Sequence, residues 1–567
     1  MPTITEKGAD VVVIGLGAGG GIAVLPLAQA GLDVVGLEAG GRYTTKDYPA
    51  DEIRNDIRNW LGRAKVNTEI PTQRSTPGSA TTPAIAPSRM MNGVGGTSIH
   101  WGAQSWRLMP WNFRERSETI RRYGASAIPA GSTIADWPIS YDDLEPYYDK
   151  VEFLFGVSGK AGNLRGSIDP RGNVFEGPRA REYPLPPLRR SGFTELLANA
   201  ARRLGWHPFA GPAAIRSQEY DGLGACVYHG FCTFNGCHVD AKGSTNLSSI
   251  PKAEKVGKLK VVEHARVTEI VVGRDGRATG VNYLKGGELH FQPAKAVLLA
   301  GYTYENTRLL LLSRSAAYPN GLSNNHGQVG KHYMAHTRAG ANGVIPGRKL
   351  NRFSGTAGQW TAVDDWDSDF FDHTGLGFIG GGTMSATMEA KPIGAARTTP
   401  PSLPRWGSAW KAWLKENAIS VASTATQINT TPYESNFLDL DPTTTDPDGV
   451  PVVRVTNELK PMERAAAQFV AEKCRQWLVE AGATETWLVA PNAVSIQTHA
   501  FGGTRMGDDR GQDVTDRWCF SHEVPNLGIL GASNFPTSGG RNPTETVMAL
   551  AWRTADHLVE SWSARTG

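Results

Sequence analysis

Two buried-strand patterns frame the start of the chain. Val11 to Ile14 form a continuous run of branched apolar residues, as expected for a strand covered on both faces. An apolar helical segment follows the next glycines to about Ala30, Gly31 closes it, and Asp33 to Leu37 form a second run ending on Glu38. This predicts a strand, turn, helix and parallel strand, with Pro26 bending the helix near its end. Farther along, "ISVASTATQIN" and "VPVVRV" alternate with period two and predict strands of a mostly antiparallel sheet. "PMERAAAQFVAEKCRQWLVEAG" predicts an amphipathic helix between Pro461 and Gly482. The glycine- and proline-rich piece from Arg348 to Pro404 reads either as a substrate loop or lid, or as a passive surface excursion.

The turn between the first strand and helix reads Gly15-Leu16-Gly17-Ala18-Gly19-Gly20 and fits G-x-G-x-x-G. Gly15 permits the tight turn, Gly17 the approach of a pyrophosphate, and Gly20 the close packing of helix on sheet. The helix N-terminus offers free N–H groups and a positive dipole end to phosphates. Glu38 is placed to accept hydrogen bonds from the adenosine ribose. The turn alone serves NAD as well as FAD.

A second glycine-rich segment, "NGVGGTSIHWGA", contains Gly93, Gly95, Gly96, Thr97, His100 and Trp101. "ARVTEIVV" follows at 265–272, "AVLLAGYTYENTRLLLLS" at 296–313, "HAFGGTRMG" at 499–507 and "VPNLGILGASNFPTSGGRNPTETVMALA" at 524–551. With the N-terminal turn, these segments resemble the glucose–methanol–choline (GMC) flavoprotein oxidoreductases along nearly the whole chain. Pyranose oxidases and the flavoprotein subunit of gluconate and related sugar dehydrogenases look nearest.

The resemblance implies an α/β fold with a discontinuous Rossmann-like FAD-binding domain and a substrate-binding domain whose mostly antiparallel sheet is covered by helices. The expected boundaries are 1–330 for the first FAD part, with a loop or lid excursion around 42–90, then 331–490 for the substrate domain and 491–567 for the C-terminal FAD part. FAD is the implied cofactor, held by the glycines named above with Glu38, Thr97, His100, Trp101, Val267, Ala300, Asn534, Pro543 and Thr544. His100 matches a position of covalent flavin attachment, but a histidine merely stacked beside the flavin is the reading preferred here. His499 maps to the catalytic base and Asn542 to its partner. A histidine suits the base because its ordinary pKa lies near operating pH. The implied reaction oxidises a secondary hydroxyl of a pyranose sugar or glycoside to a keto-sugar, with hydride passing to the flavin and oxygen or a quinone-type acceptor taking the electrons. The alternative is the flavoprotein unit of a sugar dehydrogenase that feeds a quinone, cytochrome or partner subunit.

Composition narrows other classes. The formal net charge is only +3, and arginine-bearing pieces such as "NFRERSETIRRYG" also carry glutamates, so they read as solvated helix faces rather than a nucleic-acid surface. No run approaches the ~18 apolar residues of a membrane span. "MPTITEKGAD" does not look like a signal peptide, so the expectation is a cytoplasmic protein. Three of the five cysteines, Cys226, Cys232 and Cys237, cluster with His229 in one short segment. The spacing suits a metal or iron–sulfur site, and a related stretch in the sugar dehydrogenases can carry a cluster. His229 stands where a further cysteine is expected, so small buried thiols are the preferred reading and no metal is assigned.

Overall fold

A computed structural model describes residues 3–57, 71–83, 90–491 and 498–567. The strand Ala9–Ile14 lies between Val34–Leu37 and the second half of Glu288–Leu299, parallel to both. Leu259–Val262 and Leu527–Ile529 extend this parallel set on its two sides. Val11, Val12 and Val13 are fully buried, which explains why the run is continuously apolar rather than alternating. The first half of Glu288–Leu299 pairs antiparallel with Ala278–Lys285, which in turn pairs with Arg266–Val272. The helix Ala18–Gln29 follows the glycine turn and contains Pro26 in its last turn.

A second, six-stranded sheet is antiparallel throughout. Its order is Glu485–Val489, Thr337–Val344, Val421–Ile428, Met384–Thr387, Trp360–Val363 and Phe209–Ala210. Period two gives its strands two different faces. Along Val421–Ile428, Ala422 and Ile428 enter a core with Trp477 and Leu478 of the amphipathic helix Pro461–Glu480, and Thr424 donates to the Cys474 carbonyl of that helix. Ser423, Ala425 and Gln427 point the other way, into a cavity. The sheet is therefore a plate with helices on its back and a cavity on its front.

Several expectations change. "VPVVRV" is a strand, Pro451–Thr456, but it pairs with Phe437–Thr445 and Thr72–Arg74 in a separate sheet. Alternation predicts a half-buried strand and carries no information about which sheet it joins. The Arg348–Pro404 piece contains two strands of the six-stranded sheet, hidden by short length and flanking glycines. Part of the 42–90 excursion lies outside the described residues; within it, Thr72–Arg74 and Thr82–Pro83 form a pair. In the helix Glu115–Tyr123, Glu115 is not solvated: it is fully buried, Asn429 Nδ2 donates to its Oε1 at 2.7 Å, and burial pushes its pKa up to about 8. Among the described residues no helix is long and apolar enough to cross a membrane.

Candidate active site

The turn sequence is spelled by steric need. Gly15 has φ +84°, and a Cβ there would sit 2.7 Å from the Ala300 carbonyl oxygen. A Cβ on Gly20 would lie 2.0 Å from the Gly15 oxygen, so the helix can start against the turn only without side chains. The second glycine-rich segment docks on the first: Gly96 has φ +52°, and its Cβ would meet Gly17 Cα at 2.6 Å.

Glu38 locks the two turns together. Its Oε2 accepts from the Leu16 amide at 2.9 Å, and its Oε1 accepts from the amides of Gly40 at 3.0 Å and Gly93 at 2.9 Å. Burial pushes this carboxyl above the usual carboxylate range, against the pull of the three amides. The structure thus gives Glu38 a bracing task that the strand-end rule does not mention.

Between these turns runs a long cavity. Its walls include Gly15, Gly17, Glu38, Gly96, Thr97, Trp101, Val267, Ala300, Pro543 and Thr544, all expected from the sequence. Five other expected cofactor residues stand off its wall. Gly20, Gly93 and Gly95 shape the turns, with Gly95 at φ +108°. Asn534 accepts from Thr504 Oγ1 at 2.7 Å and donates to the Ile529 carbonyl at 2.5 Å, bracing the loop that follows His499. His100 faces a second cavity instead.

That second cavity, about 560 Å³, shares Thr97, Trp101, Thr498 and Thr544 with the first, so the two meet at those residues. His499 and Asn542 line it, along with Trp106, Trp360, Gln427 and the hydroxyl residues Thr383, Ser385, Thr387 and Ser423. Trp106 and Trp360 stack at 5.8 Å between ring centroids. A two-residue ladder positions the histidine: Met334–Ala335 pairs with Ala500–Phe501, which brings His336 beside His499. The His336 amide donates to the His499 carbonyl at 3.2 Å.

The imidazole of His499 is held from behind. Its Nδ1 lies 2.5 Å from Gln427 Oε1 and 3.2 Å from His336 Nδ1. His336 Nε2 faces a carbonyl, so in a neutral ring its Nδ1 is the bare nitrogen, 2.8 Å from Gln427 Oε1. The proton of His499 Nδ1 is then shared between those two acceptors, and His499 Nε2 presents a lone pair. That Nε2 lies 3.3 Å from Asn542 Nδ2. His336 in turn donates from Nε2 to the Gly539 carbonyl at 2.7 Å. Burial pushes the pKa of His336 down to about 4. His499 is held well below its ordinary value, first by burial and then by neighbouring His336 and Arg338. Both rings are therefore neutral near pH 7. Asn542 is fixed through its neighbour Arg541, which pairs with Asp364 at 3.4 Å and with Asp367.

His336, Gln427, Trp106 and Trp360 escaped the sequence reading. The only local signal was the histidine closing "KHYMAH" at 331–336; nothing along the chain marks a glutamine as a histidine's partner. The cysteine segment is likewise clearer in space. Cys226 and Cys232 are buried, and Cys232 Sγ lies 3.1 Å from Thr356 Oγ1. His229 Nε2 contacts His238 Nδ1 at 3.1 Å. Among the described residues no group of three His, Cys, Asp or Glu side chains is placed to hold a metal ion.

A slot walled by two glycine turns opens onto a histidine–asparagine pair, and relatives with this sequence pattern are oxidoreductases acting on CH–OH groups. The chain belongs to the GMC oxidoreductase family, whose models, described as GMC oxidoreductase, match residues 135–338 and 432–551. It is 32% identical to the "Gluconate 2-dehydrogenase flavoprotein" of Pantoea cypripedii over 99% of this chain and 95% of that one. It is 30% identical to the "2-methyl-1,2-propanediol dehydrogenase" of Mycolicibacterium austroafricanum, over 99% of this chain and 97% of that one. Among solved structures, an FAD-dependent oxidoreductase from Chaetomium thermophilum superposes with TM-score 0.64 at 13% identity, covering 99% of this chain and 100% of that one, a likeness of fold.

FAD is the cofactor this family generally binds, and the residues present fit it. The glycine turns pack backbone on backbone and leave Gly15, Gly17, Gly19 and Gly96 bare along the slot, the helix at Ala18 turns its N-terminus to it, and Pro543 and Thr544 line the part nearest His499.

Proposed function

We propose that this protein oxidises a secondary hydroxyl of a pyranose sugar or glycoside to a keto-sugar, with His499 as the base and FAD as cofactor. The carrying observation is His499 Nε2 at 3.3 Å from Asn542 Nδ2, in the cavity that meets the glycine-walled slot at Thr498 and Thr544. FAD, when bound, supplies the acceptor for the hydride. His499 Nε2 takes the hydroxyl proton, and Gln427 Oε1 keeps the resulting ring oriented through Nδ1–H. Asn542 Nδ2 donates to the substrate oxygen and favours the charge that builds on it as the proton leaves. The aromatic walls Trp106 and Trp360 suit the C–H face of a sugar ring, and the surrounding hydroxyls suit its rim. A cavity of about 560 Å³ also has room for more than a small diol.

Both relatives named above carry dehydrogenase names, which favours an acceptor other than oxygen, such as a quinone, cytochrome or partner subunit. A panel of sugars and glycosides, assayed in parallel for peroxide and for dye reduction, tests both points. Sugar-dependent dye reduction without peroxide is expected. Turnover of small diols but of no sugar would refute the substrate class. His499→Ala should abolish turnover while keeping flavin bound; a variant working at the wild-type rate would remove the base assignment.

A further inference from the structure

Among the described residues, Arg352 in the cavity wall draws no stabilising charge from an acidic neighbour. Arg352 lies in the connection after Thr337–Val344, and its side chain lines the substrate cavity at the end away from His499. Its Nη1 donates to Ser423 Oγ at 3.1 Å and to the Val421 carbonyl at 3.4 Å, and its Nη2 donates to the Thr387 carbonyl at 3.2 Å. The guanidinium carbon stands 5.0 Å from the Phe193 ring centroid. Nη2 keeps a second N–H, and Nε is buried without a hydrogen-bond partner among the described residues.

Three further positive groups lie in the wall: Arg338, exposed at the His499 end opposite Gln427, and Arg541 and Lys391, which have acidic partners. Arg541 is paired with Asp364 and Asp367, and Lys391 stands 3.8 Å from Glu389. Glu389 is itself engaged by the Cys232 and Thr233 amides and the Thr233 hydroxyl. Among the described residues no acidic group offsets the desolvation of Arg352, which pulls its pKa down to about 10. A cation partly withdrawn from water without a counter-charge is destabilised, and a planar guanidinium is the side chain best shaped for carboxylate or phosphate.

We propose that the outer end of the cavity is an anion subsite, where Arg352 holds a carboxylate or phosphate that the substrate carries far from its oxidised carbon; this rests on reading the cavity as the substrate site. The distance follows from one strand. Ser423 anchors Arg352 and Gln427 anchors His499, on the same face and four residues apart, or about 13 Å at ~3.3 Å per residue. An acid group adjacent to the reacting carbon cannot reach both ends. A two-unit glycoside with its anion on the far unit can.

The test is calorimetric titration of the flavin-loaded enzyme with cellobionate and with cellobiitol, its neutral counterpart of equal length. Cellobionate should bind at least tenfold more tightly, with an advantage that shrinks as salt rises. Arg352→Gln should bring the ratio near one, while Arg352→Lys should keep part of it. Cellobiose bearing a terminal phosphate ester, titrated alongside, distinguishes phosphate from carboxylate as the preferred group. Equal wild-type affinities for the acids and cellobiitol would overturn the proposal. So would a preference surviving Arg352→Gln, or one lost in Lys391→Gln and kept in the Arg352 variants. If no glycoside is turned over yet the preference for the anion holds, the proposed function falls and the subsite stands.

Discussion

Gln427 is the residue on which the base assignment can be tried most sharply, because it touches His499 on the side away from substrate. Replacing it with leucine removes the Oε1 that accepts from Nδ1 at 2.5 Å. A buried N–H left without an acceptor is destabilised by about 1–3 kcal/mol, and each 1.4 kcal/mol or so is tenfold in rate. His336 Nδ1 remains 3.2 Å away as a substitute acceptor, so the loss should fall near the low end, about tenfold. Gln427→Glu keeps an acceptor but adds a negative charge beside the imidazole, which favours its protonated form and raises its pKa. The base must be neutral to act. With the native pKa held far below its ordinary value, the wild-type enzyme should keep its rate into acidic solution, and Gln427→Glu should move the acidic limb to higher pH. The assay is anaerobic rapid mixing, following flavin bleaching by substrate across pH. Wild-type bleaching rates in Gln427→Leu, or an acidic limb that stays put in Gln427→Glu, would refute the reasoning.

Other expectations follow from the same geometry. Asn542→Ala removes one donor to the developing oxyanion and should slow flavin reduction by about 10²-fold, with a smaller effect on substrate binding; an unchanged reduction rate would count against its role. Gly96→Ala places a methyl 2.6 Å from Gly17 Cα at a positive φ, so the purified variant should lose most of its flavin, and a fully yellow protein would disprove the docking of the two turns. Burial lets Glu115 hold its proton to about pH 8 in the fold, against an ordinary value of 4.5, so between those values the unfolded chain has released a proton that the native state keeps. Stability therefore falls as pH rises through that window, and Glu115→Gln, neutral throughout, should remove that slope. Thermal unfolding at pH 5 and pH 8 checks it: a wild-type loss identical to that of the variant would show that Glu115 contributes nothing.

What could be read along the chain and what could not divides by how far apart in sequence the contacting groups lie. The nucleotide slot is written in glycines because Gly15, Gly20 and Gly96 meet backbone where a Cβ would sit within about 3 Å, and such a constraint leaves a local, spaced mark. His499 and Asn542 were legible because they sit in motif-bearing segments of the C-terminal part. The residues that hold the His499 ring are different. Gln427 arrives on a strand whose neighbours are Thr337–Val344 and Met384–Thr387, and His336 arrives through a two-residue ladder with Ala500–Phe501. Register in such a sheet follows from which face is buried, and that is settled by helix Pro461–Glu480 on the back rather than by any pattern at Gln427. A one-residue slip of Val421–Ile428 would turn Gln427 away from the cavity and bring the core residues Ala422 and Ile428 to the front. The packing of Ala422 and Ile428 against Trp477 and Leu478 therefore holds the catalytic glutamine in place from the opposite side of the sheet, so a core truncation such as Ile428→Ala should disturb the pH profile as well as the stability.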